Sequence, residues 1–254
     1  MYPVRMMLLK IFSYVTGGFS TSVNSKMISW ILLFAILNIM LSCSRGNDNG
    51  NETLVDSVAS PPPPVGNTLS DLGIDESAGV PSGLRFDNKA PGFAAHDIMG
   101  VPFDLYSTLN EGPVVLTFYR GKWCPHCNRH LSNLADSIQL IQEKGATLVV
   151  VTPELKVNAL EMMEKTKANF HIISDSGNNI MNVFKVTFKV NDLYVKQIEI
   201  KHGIDIAANN GNKEPKLPVP ATYIIGDKGD ILYVHFDHNY GNRAPVSEIL
   251  KYLP

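Results

Sequence analysis

The chain has 254 residues, a formal net charge of −2 and 44% apolar content, enough for one ordinary domain with a real core. Its 22 Lys and Arg nearly balance 24 Asp and Glu, and no run of like charge stands out. That balance excludes a nucleic-acid binder built on a basic face and selects no charged partner.

The first 47 residues carry Arg5, Lys10 and Lys26 ahead of a largely apolar run, Ile28 to Leu41, and contain no acid. The run is short for a bilayer span and suits the apolar region of a signal peptide. It ends in "MLSCS", which places Cys43 after the small Ser42. This resembles the lipobox of bacterial lipoproteins, whose cysteine becomes the acylated first residue. The resemblance implies a signal peptide over 1–42, lipidation at Cys43 and a membrane-anchored protein facing the periplasm of a bacterial envelope. An uncleaved anchor would also hold the remainder outside the cytoplasm.

Residues 43–89 are rich in Gly, Asn, Ser, Asp and Pro, including Pro61 to Pro64, and read as a flexible tether with a stiff polyproline segment. The folded domain is expected over 90–254. Val114 to Tyr119 and Thr147 to Thr152 are nearly continuous β-branched apolar runs, as in central strands covered on both faces. Between them, Leu131, Leu134, Ile138 and Ile141 recur at helical spacing, with Gly145 as a stop. A second helix is expected over Leu155 to Ala168, a strand over Phe170 to Ser174 and a short helix over Asn178 to Phe184. Asn191 to Leu217 reads as a hairpin followed by a loop. Thr222 to Ile225 and Ile231 to Phe236 form a hairpin around "DKGD", and Ser247 to Tyr252 a closing helix. The order predicts an α/β fold, a central mixed sheet flanked by helices on both faces.

If Cys43 carries lipid, only Cys124 and Cys127 remain, in "YRGKWCPHCNRHL". A bridge between positions so close closes too small a loop to stabilise much, so the pair is better explained by reactivity. Cys124 falls where strand gives way to helix, with Pro125 in the first turn. There the helix dipole favours a Cys124 thiolate, while Cys127 is the more buried partner able to attack a sulfenic acid or mixed disulfide. His126 can add a donor or positive charge, and Trp123 can cover the sulfurs. Zinc would need more ligands than His130 alone supplies, and covalent haem would need histidine where Asn128 stands. No metal site or cofactor is expected.

From Ala90 onward the chain resembles the peroxiredoxin-like branch of the alkyl hydroperoxide reductase and thiol-specific antioxidant family, of thioredoxin-like fold. The matching stretches are "APGF", "PVVLTFYRGKWCPHCNRHL", "HIISDSGNNIMNVFKV" and "LPVPATYIIGDKGDILYVHFDHNYGNR". The resemblance implies a thiol peroxidase that reduces hydrogen peroxide or organic hydroperoxides through a Cys124–Cys127 disulfide, recycled by a thioredoxin-like dithiol partner. Counting nine residues on from Phe118, as in peroxiredoxins, reaches Cys127 as the attacking sulfur; the thioredoxin count makes it Cys124. Cys124 and Arg120 replace the family's threonine and proline. Among Arg120, Arg129 and Arg243, the last ranks first as the arginine beside the attacking sulfur. Pro220 resembles the cis-proline facing the dithiol in thioredoxin folds, an arrangement that would free the Val219 backbone for a substrate strand. The alternative function is a membrane-tethered thiol-disulfide oxidoreductase acting on protein disulfides, as in cytochrome c maturation.

Overall fold

A computed structural model describes residues 66–253; the signal-peptide and Cys43 expectations, and the first part of the tether, lie outside them. The elements in order are β1 (Ala94–His96), β2 (Pro102–Asp104), α1 (Leu105–Leu109), β3 (Val114–Phe118), α2 (Pro125–Asp136) and α3 (Ile138–Glu143). Next come β4 (Thr147–Thr152), α4 (Lys156–Thr166), β5 (His171–Ser174), α5 (Asn179–Val183), β6 (Thr187–Lys189), α6 (Asp192–His202) and α7 (Ile206–Asn209). The chain closes with β7 (Lys216–Pro218), β8 (Ala221–Ile225), β9 (Ile231–Phe236) and α8 (Val246–Tyr252).

The central sheet runs β5-β4-β3-β8-β9, with β3, β4 and β5 parallel and β8 and β9 antiparallel to their neighbours. This is the mixed, thioredoxin-like sheet the sequence implies. Because β3 is covered on both faces, its residues alternate between two apolar layers rather than between core and water. Val115 meets Leu131, Leu134, Ile141 and Met162 from α2, α3 and α4. Val114, Leu116 and Phe118 meet Leu105, Leu109, Met181 and Phe184 on the opposite side. Leu131 and Leu134 are fully buried, a gain of about 1.5–3 kcal/mol each. That packing fixes α2, and with it the two cysteines, against the end of β3.

The helix expected between β3 and β4 is interrupted at Ser137 (φ −107°, ψ 8°), which separates α2 from α3. The apolar periodicity continues across the break, so the pattern alone does not reveal it. Two further expectations are corrected. Asn191 to Leu217 holds no hairpin of its own: it forms α6 and α7, and β7 pairs back with β6. The tether does not extend to 89, because Leu72 and Ile74 are buried and Ile74 bridges Val190. Gly73 makes this possible; at φ 91° a Cβ there would lie 2.7 Å from Cγ of Tyr194, so only glycine lets the backbone lie on that ring. Residues of α6 and α7, together with Ile74, Leu217 and Val219, form a third small core.

Candidate active site

The end of β3 delivers the site. Tyr119 N–H still donates to Val151 O, after which Arg120 to Trp123 turn the chain and Cys124 N–H donates to Gly121 O at 3.1 Å. Cys124 precedes the first turn of α2, Pro125 occupies that turn, and Asn128 N–H donates to Cys124 O. The proline costs nothing there because its missing N–H would have had no helical partner. Cys127 follows one turn later. The two sulfurs are unbridged thiols, 1% and 0% exposed.

The two thiols are driven in opposite directions. Cys124 is pushed well above the ordinary thiol range, first by burial, then by its hydrogen bond to Cys127 and the negative charge there. Its side chain makes no bond to the helix N-terminus, so the dipole stabilisation expected of a Cys124 thiolate is outweighed by desolvation. Cys127 is equally buried, which opposes ionisation, yet the Cys124 thiol, the Arg243 and Arg120 charges and a bond from the Arg120 backbone hold it well below that range. Arg243 Nη2 lies 3.5 Å from Cys127 Sγ. These opposing pulls favour Cys127 over Cys124 as the sulfur that ionises, a choice the sequence left open.

Arg120 is 1% exposed, and its Nη2 donates to Tyr194 Oη at 2.5 Å. Its guanidinium carbon lies 3.8 Å from the Tyr240 ring centre, 5.0 Å from that of Trp123 and 5.2 Å from that of Tyr194. Aromatic faces thus replace water around a buried cation, which keeps it charged beside the dithiol. His126 packs edge-on against Tyr240, ring centres 5.5 Å apart. A cavity of about 100 Å³ reaches Cys124 between Arg120, Trp123, Tyr194, Lys201, His202 and Tyr240. It has room for a ligand of few atoms.

Val219 and Pro220 are placed differently from expectation. No cis peptide bond occurs among the described residues, so Pro220 is trans. Val219 is buried and its N–H donates to Val186 O at 2.8 Å. The β6–β7 pairing therefore occupies the backbone that a cis-proline arrangement would leave open.

Several groups at the site were given no role in a thiol site by the sequence. Glu154, 0% exposed, accepts from Lys122 N–H at 2.9 Å and Asn209 Nδ2 at 3.0 Å. Burial, and secondarily the Cys127 charge, raise its pKa to about 7. His130 is lowered to about 3 by burial, Arg243 and His235. Tyr194 lay inside the segment read as a hairpin and loop, although Asn191 before α6, Lys201 and His202 in its last turn and the left-handed Gly203 are helix-boundary signals. They were masked because Leu193 and Ile200 point to solvent, leaving no clean apolar stripe.

The sequence pattern of the AhpC/TSA family matches residues 86–234. The chain is 24% identical over 166 residues to a chloroplastic peroxiredoxin Q of Oryza sativa subsp. japonica, a match spanning 65% of each protein. It is 23% identical over 154 residues to the thiol-disulfide oxidoreductase ResA of Halalkalibacterium halodurans, covering 59% of this chain and 68% of ResA. The fold is similar to that of the peroxidoxin BcpB of Mycobacterium tuberculosis, with a TM-score of 0.52 and 18% identity over 67% of this chain and 96% of that one.

Proposed function

The chain belongs to the AhpC/TSA family, and from that premise we propose that it is a thiol peroxidase in which Cys127 attacks and Cys124 resolves. The observation that carries this reading is the buried Cys127 sulfur held 3.5 Å from Arg243 Nη2, where the positive charge favours ionisation of Cys127 over Cys124. The Cys127 thiolate forms an S–O bond with one oxygen of hydrogen peroxide or an organic hydroperoxide. The O–O bond breaks, the departing hydroxide or alkoxide takes a proton from solvent, and Cys127 becomes a sulfenic acid. Cys124 then gives up its proton and attacks that sulfur; an S–S bond forms and water leaves. An external dithiol of thioredoxin type restores the pair by exchange. The proposed location is the cell envelope, with lipid at Cys43, on the strength of residues 28–43 alone.

A second reading is exchange with protein disulfides, favoured by the Cys-Pro-His-Cys segment at a helix start and the similarity to ResA. The engaged Val219 N–H and the closed sulfurs weigh against it. The test is NADPH consumption by the full chain with thioredoxin, thioredoxin reductase and hydrogen peroxide. Turnover that disappears in Cys127→Ser is expected. Insulin reduction without peroxide turnover would replace the proposal with the second reading, and neither activity would overturn both.

A further inference from the structure

A second cavity, of about 290 Å³, lies beside the dithiol without including either sulfur in its lining. One wall is a face of α2, where His126, Arg129, His130 and Asn133 follow at helical spacing. The other is the segment 241–246, which contributes Arg243. The lining offers two guanidinium groups, two imidazoles and an amide, and no carboxylate. His130 is 6% exposed and its Nε2 makes no hydrogen bond. With burial and Arg243 keeping this ring neutral, it can donate to or accept from a ligand without adding charge. Arg243 is common to cavity and catalytic pair: Nη1 donates to Asn242 O at 3.1 Å while Nη2 meets Cys127 Sγ.

We propose that this cavity binds a small oxyanion, the carboxylate or phosphate group of a metabolite, which shares Arg243 with the Cys127 thiolate and restrains that sulfur while bound. The restraint rests on the reading of Cys127 as the ionised, attacking sulfur; the binding site does not. A negative charge against Arg243 offsets part of the positive field at Cys127, in surroundings less polar than water. The sign follows whether or not the guanidinium moves. The cavity therefore connects the pool of small acids around the protein to the readiness of its thiolate.

The full chain carrying Cys43→Ser, so that thiolate absorbance reports the site pair alone, is titrated with succinate, with inorganic phosphate and with neutral succinamide. Calorimetry measures binding, and absorbance is followed at a pH where Cys127 is partly ionised. At least one of the two anions is expected to bind and to reduce the thiolate signal about threefold, with succinamide inert. Binding of succinate alone assigns carboxylates; binding of phosphate alone assigns phosphate groups. Arg129→Gln is expected to weaken binding about tenfold. The proposal is overturned if neither anion binds, if bound anion leaves the thiolate signal unchanged, or if Arg129→Gln binds as tightly. No peroxide is used, so loss of peroxidase turnover and loss of anion binding are separate results.

Discussion

Replacing Arg243 by glutamine removes a full positive charge from 3.5 Å of the Cys127 sulfur while keeping an amide of similar reach. Two unit charges about 4 Å apart interact by about 4 kcal/mol at the effective dielectric of a protein surface. Arg243 is only half-buried, so solvent screening reduces the usable part to about 1–2 kcal/mol. Arg120 and the Cys124 thiol remain in place, and the thiolate is weakened rather than abolished. At a pH below the Cys127 titration the ionised fraction, and the rate with it, should fall about tenfold. The alkaline plateau, where every Cys127 is ionised, should fall much less. The assay is the second-order rate of sulfur oxidation by hydrogen peroxide in single turnover, followed across pH for both proteins. If the two profiles superimpose, Arg243 does not hold the thiolate and the electrostatic account of Cys127 fails.

Glu154 makes a stability prediction with a definite sign. Its carboxyl is raised from 4.5 to about 7 in the folded chain, so its contribution is fully present below pH 4.5 and is lost as pH rises through about 7. That amounts to about 3 kcal/mol. Denaturant unfolding from pH 4 to 8 should show this decline in the wild type and a flatter profile in Glu154→Gln; equal slopes would refute the assignment. Gly121→Ala should destabilise the fold by about 1–3 kcal/mol, because its Cβ would stand 2.5 Å from Trp123 Nε1 and 2.8 Å from Glu154 Oε1. Unfolding midpoints identical to wild type would show that these neighbours yield freely.

The central strands and the position of the dithiol were legible because they depend on local pattern: Val114 to Phe118 and Thr147 to Thr152 are continuous apolar runs, and Pro125 marks the start of α2. The identity of the thiolate was not, because it depends on Arg243, 116 positions from Cys127 in the chain, and on a desolvation that spacing does not encode. Arg120 was read as a substitution for a family proline; its aromatic enclosure by Trp123, Tyr194 and Tyr240 exists only once α6 and the segment after β9 are folded against α2. The polar composition before residue 90 likewise concealed Leu72 and Ile74, two apolar residues whose burial depends on a glycine between them. Pro220 misled because a proline ahead of a strand looks the same in sequence whether its bond is cis or trans.

The division of labour between the sulfurs is tested most directly by treating full-length Cys124→Ser and Cys127→Ser proteins with one equivalent of hydrogen peroxide, trapping sulfenic acid with dimedone and locating the adduct by mass spectrometry. A rapid adduct on Cys127 in the first protein and none on Cys124 in the second is the predicted result. A rapid adduct on Cys124, with Cys127 unmodified, would contradict it.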